Sequence, residues 1–239
     1  MRRILPVLCA VFLVAASSQP SHSEPSVIYQ ISTLTALKEG VYDGRSTFYE
    51  IKEHGDLGMG TLNGLDGEMI ALDGEFFQIR ADGKAYPIPD AAETPFAIVT
   101  FFKPTIRLPV HGLNSRVELE KWLDIVPHPG EKFGVIRIDG NFKYLKVRSV
   151  ARQEKPYPGL EEALKNQTVF ELNGVRGTLV GFCFPSYIGG VNMAGYHFHF
   201  ITQDRKAGGH VLECSLEKAE VQLAYVSALD LRLIEEDGH

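Results

Sequence analysis

Between residues 59 and 88, short apolar runs alternate with Asp-Gly pairs at Asp66-Gly67, Asp73-Gly74 and Asp82-Gly83. An Asp-Gly pair between apolar runs favours the left-handed backbone of a tight hairpin turn, so this stretch is expected to be a meander of short strands. Pro95 to Phe102 reads as a buried strand, and Pro104 to Leu108 as a loop entry. Phe133–Ile138 and Phe142–Val150 flank Asp139-Gly140, which predicts another hairpin. Strand patterns return at 168–173, 177–184, 195–202, 209–215 and 219–225, with a further one at 229–233. Helical patterns are few. Val117 to Val126 has helix formers at helical spacing behind Ser115 as a cap. Residues 28–40 contain a short helix with Thr33 as N-cap and Gly40 as stop, and Pro158 to Asn166 predicts another. The fold class is therefore α+β, sheet-rich with few short helices. A boundary between two sheets is expected near 150–167, dividing the chain into 24–155 and 156–239. No internal repeat stands out beyond Leu-Asp-Gly-Glu at 65–68 and 72–75.

The first residues follow a different pattern. Met1-Arg2-Arg3 is basic, Ile4 to Ala16 is apolar, and Ala15-Ala16-Ser17-Ser18 leads into a Pro/Ser/His-rich stretch to Pro25. That is the layout of a secretory signal peptide, here 1–23. The apolar run falls short of the roughly 20 residues of a membrane span. The expectation is export to the periplasm or the medium, with no membrane attachment after cleavage.

Composition then narrows the classes. The 239 residues are 44% hydrophobic and 23% charged, an ordinary globular balance rather than that of a disordered chain. The 24 basic and 30 acidic residues give a net charge of −6. Losing Arg2 and Arg3 with the leader leaves 22 basic residues and a net of −8. A nucleic-acid binder would show a basic excess, so none is expected as a partner. Three cysteines cannot make a complete disulfide framework. Cys183 and Cys214 remain after the leader, each in an apolar strand-like run, and read as buried thiols.

The strongest chemical signal is Gly195-Tyr196-His197-Phe198-His199-Phe200, followed by Gly208-Gly209-His210. In a strand, His197 and His199 share one face. Asp204-Arg205-Lys206-Ala207-Gly208-Gly209 supplies turn residues. A hairpin centred between 204 and 205 sets His199 opposite His210, and cross-strand partners share a face. A one-residue slip would reverse His210. Three imidazoles on rigid strands with a fourth position open match catalytic zinc. The residues alone leave three chemistries open. They are metal-assisted hydrolysis or hydration, a cupin-like site, and Lewis-acid catalysis on an oxygen-rich small substrate. A cupin usually carries Glu three or four positions beyond the second His, where Gln203 and its neighbours stand. His22, His54, His111, His128 and His239 do not cluster and read as surface residues.

Several segments in order resemble the alpha-acetolactate decarboxylase family. They are Tyr42-Asp43-Gly44, the run from Gly55 to Glu68, Pro95 to Phe102, Gly177 to Phe182, Gly195 to Phe200, Asp204-Arg205, and Gly208 to Leu212. The likeness spans roughly 29–233. It implies a zinc lyase that decarboxylates 2-acetolactate to acetoin. It also implies two sheets, a mixed N-terminal one and an antiparallel C-terminal one, with Zn2+ in the cleft between them, and a homodimer. By that resemblance His197, His199 and His210 are the metal ligands, Glu68 an active-site glutamate and Arg148 an active-site arginine that binds substrate. Thr61 is a further lining residue. From the residues alone, Glu68 also reads as a solvated strand end, and Glu75 shares its Asp-Gly-Glu context across a hairpin that sets Leu72 opposite Glu75. Arg148 also reads as part of a surface basic stripe, with Arg137 as its substitute.

In one respect the chain departs from the family. The resemblance implies a further glutamate in a C-terminal tail, and here the chain ends at His239 soon after Glu235-Glu236-Asp237. Either Glu235 or Glu236 takes that place, or water does. The alternative function is an exported zinc-binding or ligand-binding homologue with altered or lost turnover.

Overall fold

The computed structural model describes residues 26–126 and 132–234. The leader and Glu235–Glu236 lie outside these residues, as do His22, His128 and His239. The chain runs through β1 (Val27–Ile31), α1 (Leu34–Lys38), β2 (Ser46–Thr47), α2 (Phe48–Lys52), β3 (Leu57–Gly60), β4 (Glu68–Leu72) and β5 (Glu75–Ile79). It continues with β6 (Ala85–Pro87), β7 (Glu93–Thr94), β8 (Ala97–Thr100), β9 (Ile106–Leu113), α3 (Arg116–Ile125) and β10 (Phe133–Ser149). Last come α4 (Leu160–Leu164), β11 (Thr168–Phe184), β12 (Gly195–Thr202), β13 (Gly208–Val226) and β14 (Ala228–Arg232).

Two main sheets form. The first has the order β14-β1-β8-β3-β4-β5-β6, and β2 and β7 pair separately. It is mixed, as expected: β1 and β14 are parallel and its other pairings antiparallel. The second has the order β10-β11-β12-β13-β9 and is antiparallel throughout. A further β10–β13 ladder closes four of its strands into a ring.

The sheets do not divide the chain where the sequence suggested. β9 and β10 precede residue 155 yet belong to the second sheet, while β14, near the C-terminus, completes the first. The 155/156 division is therefore not a boundary between sheets. β1 needs a partner on its open edge, and β14 supplies five parallel pairs there.

Local signals explain most elements. Thr33 caps α1 by accepting from the Ala36 N–H, and Ser115 caps α3 through Glu118. α2 carries a capping box between Thr47 and Glu50 that the sequence reading passed over. Asp73 and Gly74 both take positive φ, 56° and 79°, and join β4 to β5 with Leu72 opposite Glu75 as expected.

Asp139-Gly140 is a correction, because it makes no turn. β10 runs straight through it, with Asp139 opposite Thr178 on one side and Glu220 on the other. The Asp139 carboxylate accepts from Thr178 Oγ (2.7 Å), Arg137 Nε (2.7 Å) and Gln222 Nε2 (3.1 Å) instead of folding back on its own backbone. Gly140 allows a close strand approach: an added Cβ would stand 2.4 Å from Ala219 Cβ. The segments expected at 168–173 and 177–184 are likewise one strand, as are those at 209–215 and 219–225. β9 appears where only a loop entry was expected.

Period-two alternation sorts the side chains into layers. Ile70 and Leu72 of the first sheet join Val180, Phe182 and Ile201 of the second in the core between the sheets. Met69 and Ala71 face the opposite side with Phe48 and Ile51 of α2. Leu179, Phe198 and Phe200 fill the interior of the second sheet with Leu119 and Leu123 of α3. Cys183 and Cys214 are free thiols; Cys214 is buried as expected, whereas Cys183 is half-buried.

Gly140→Val is expected to lower the unfolding free energy by about 1–3 kcal/mol, because the added atoms enter a closed strand contact. Denaturant unfolding checks this, and an unchanged midpoint would show that the approach is not tight.

Candidate metal centre

Alternation along β12 turns Phe198 and Phe200 into the second sheet's own core and His197, His199 and Ile201 toward the first sheet. The β12–β13 ladder pairs His199 with His210, which is the register expected from a turn centred between 204 and 205. On its other side His210 pairs with Arg148 of β10. Arg148, His210 and His199 thus form one row across three strands. Glu68 opens β4 on the same face as Ile70 and Leu72, so it faces this row from the opposite sheet.

The donor atoms of His197, His199 and His210 lie within 4.8 Å of one another. His197 Nε2 and His210 Nδ1 are 3.0 Å apart. His199 is 1% exposed, and its Nδ1 stands 2.9 Å from the Met69 carbonyl, a pure acceptor. That contact places the ring proton on Nδ1 and leaves the Nε2 lone pair facing the site. His199 Nε2 is buried without a hydrogen-bond partner, 3.3 Å from Glu68 Oε2. A lone pair facing a carboxylate calls for a cation or proton between them. Three neutral imidazoles converging beside one carboxylate therefore fit a divalent metal.

Electrostatics keep the imidazoles neutral. Burial first, then His199 and the Arg148 guanidinium, hold His197 well below the ordinary imidazole value. Burial followed by Arg148 and His197 does the same to His210. Burial lowers His199 as well, against an opposing pull from Glu68 and the Met69 carbonyl.

Glu68 is 7% exposed and accepts from Arg148 Nη1 at 2.5 Å, a contact that joins the two sheets at the site. The loop before Glu68 is fixed by Gly67, whose N–H donates to the Leu65 and Val150 carbonyls at 3.0 Å each. Thr61 lines the pocket, and its hydroxyl donates to the Gly67 carbonyl at 2.7 Å. It therefore holds the turn that presents Glu68.

The pocket is a small cavity of about 70 Å³. Its polar side is Thr61, Glu68, Arg148 and the three histidines; its apolar side includes Leu34, Leu37, Leu65, Phe96, Leu160 and Met193. The sequence reading missed Asn192 and Met193, which no periodic pattern marks. They reach the pocket because the buried Gln30 donates to the Val191 carbonyl (2.8 Å) and accepts from Asn192 Nδ2 (2.8 Å). Arg137, the substitute for Arg148, lies outside the pocket and bonds Asp73 and Asp139. Glu75 is exposed, and His54 stacks on Tyr29 away from the site.

A family model described as alpha-acetolactate decarboxylase matches residues 28–238. The chain is similar to the alpha-acetolactate decarboxylase of Methanosarcina mazei, 47% identical over 213 residues, covering 89% of this chain and 74% of that relative. It is also similar to that of Methylococcus capsulatus, 46% identical over 220 residues, covering 90% and 83%. The crystal structure of alpha-acetolactate decarboxylase from Bacillus subtilis strain 168 superposes with a TM-score of 0.86 at 43% identity, covering 88% of this chain and 90% of that one.

Purified protein loaded with a divalent metal is expected to hold about one ion per chain, as three-histidine sites do. His199→Ala should bring the stoichiometry, read by atomic emission, to background. Full metal content in that variant would place the ion elsewhere.

Proposed function

This chain belongs to the alpha-acetolactate decarboxylase family, and on that premise we propose that it is an exported, homodimeric zinc enzyme that converts 2-acetolactate to acetoin and CO2. It is an acetolactate decarboxylase, a lyase acting on a small molecule. The observation that carries the finer reading is the row Arg148–His210–His199 with Glu68 facing it from the other sheet. The basic start at Arg2-Arg3 and the apolar run Ile4–Ala16 support export. Among the described residues no helix is long and apolar enough to cross a membrane. The homodimer rests on the family likeness.

Substrate and product differ by loss of CO2 and gain of one proton at carbon. Arg148 binds the carboxylate: its bond to Glu68 takes one of five N–H donors and leaves others for a charge-assisted pair with substrate. Holding the carboxylate orients the C–C bond that breaks. The electron pair of that bond passes into an enediolate. Zn2+ held by His197, His199 and His210 would supply a Lewis acid that stabilises this negative charge. Glu68 takes up from solvent the one proton that the overall reaction consumes and delivers it to the carbon that lost CO2. Thr61, through Gly67, keeps Glu68 in place. The apolar side of the pocket receives the two methyl groups and excludes water from the carbanion. An exported chain with net charge −8 after loss of Arg2 and Arg3 presents an unfavourable global field to an anion, so Arg148 and the metal would do the attracting locally.

Glu68→Gln should retain its metal and lose about 10²–10⁴-fold in kcat, the range for removing a positioned proton carrier. Arg148→Lys should raise KM about tenfold, equivalent to one weakened charged hydrogen bond. Acetoin formation from 2-acetolactate is the assay. Zinc-loaded protein with no acetoin above the uncatalysed rate would favour the binding homologue instead.

A further inference from the structure

The β12–β13 ladder is short. It holds His199↔His210, Phe200↔Gly209 and Ile201↔Gly208, and ends at the two histidines. Further along β13, Leu216–Leu223 pairs with β9. His197 and His210 therefore sit where the two strands part, with no ladder rung beyond them to fix their separation. Beside the contact between the two imidazoles, a side chain from outside both strands also spans the gap. Arg116, the first residue of α3, donates through Nη2 to the Tyr196 carbonyl and through Nη1 to the Val211 carbonyl, both at 2.9 Å. Tyr196 directly precedes His197, and Val211 directly follows His210.

The guanidinium is itself held. Its Nε donates to Glu120 Oε1 at 2.7 Å, and the Arg116 backbone N–H donates to Glu213 Oε1 at 2.5 Å. Leu119 and Leu123 anchor α3 in the core of the second sheet. The Arg116 side chain is 23% exposed, so the fork is well sheltered.

We propose that Arg116 is a positioning residue for the metal centre: its two-pronged bridge replaces the missing rung between β12 and β13 and sets the spacing of His197 and His210. It does not line the pocket and takes no part in the chemistry. The inference rests on the metal reading of the three histidines. A planar fork reaches two carbonyls at once, whereas an ammonium is a single point donor, so charge alone does not substitute.

The test is cobalt(II) binding to the full-length protein, wild type against Arg116→Lys, Arg116→Met and Glu120→Ala. It follows the visible d–d bands and measures Kd by chelator competition. Both Arg116 variants are expected to bind cobalt about 10–100-fold more weakly, the usual cost of removing a group that orients ligands, and with shifted bands. Glu120→Ala, which keeps Arg116 but frees its Nε, should move Kd the same way by a smaller factor, so the test survives if the Met variant fails to fold. Wild-type Kd and bands in Arg116→Lys and Glu120→Ala would overturn the assignment, even if the metal-free thermal midpoint fell, because that marks a merely structural staple. A wild-type protein that takes up no cobalt would overturn the metal reading, and the assignment with it.

Discussion

Three imidazoles and an Arg–Glu ion pair lie between two sheets whose facing surfaces are largely apolar, His199 and Glu68 buried and His197, His210 and Arg148 half-buried. Burying polar groups costs free energy unless each finds a partner. Glu68 has Arg148, His199 Nδ1 has the Met69 carbonyl, and His197 has His210, but His199 Nε2 has no hydrogen-bond partner. The cluster bridges the two sheets, since Glu68 and Met69 come from one and the other groups from its neighbour. The metal reading supplies that completion. In the proposed mechanism the same groups that tie the sheets together bind the substrate and move its proton.

The histidine triplet was legible in the sequence because two local rules sufficed. Period-two alternation set His197 and His199 on one face, and a turn centred between 204 and 205 set His210 opposite His199. Arg148 was harder to place. Its position opposite His210 depends on β10 continuing through Asp139-Gly140, which the sequence marks as a turn. There the usual local role of Asp yields to Thr178, Arg137 and Gln222, which bond its carboxylate from neighbouring strand positions. In the structure Glu68 shares a face of β4 with Ile70 and Leu72, but which sheet that face meets is a tertiary fact. The resemblance to a family, not the periodicity, singled it out over Glu75.

Other parts were silent for similar reasons. The helix over 116–125 was plain from its cap and spacing, yet nothing in that pattern says that its first side chain reaches two carbonyls on distant strands. Asn192 and Met193 enter the pocket through a buried amide pair between Gln30 and Asn192, 162 positions apart. Strands β1 and β14 join the two ends of the described chain in one parallel pair, so the first sheet is complete only when the last strand arrives. Contacts of such long range carry no signature in a local window of sequence.

The central claim is that three histidines on β12 and β13 hold a zinc ion on which decarboxylation depends. The most direct measurement titrates zinc into metal-stripped protein while acetoin formation from 2-acetolactate is followed. The rate should rise linearly to about one equivalent per chain, the stoichiometry of a single three-histidine site, and stay level beyond it. A full rate in the metal-stripped protein, or a rate that does not respond to zinc, would contradict the account.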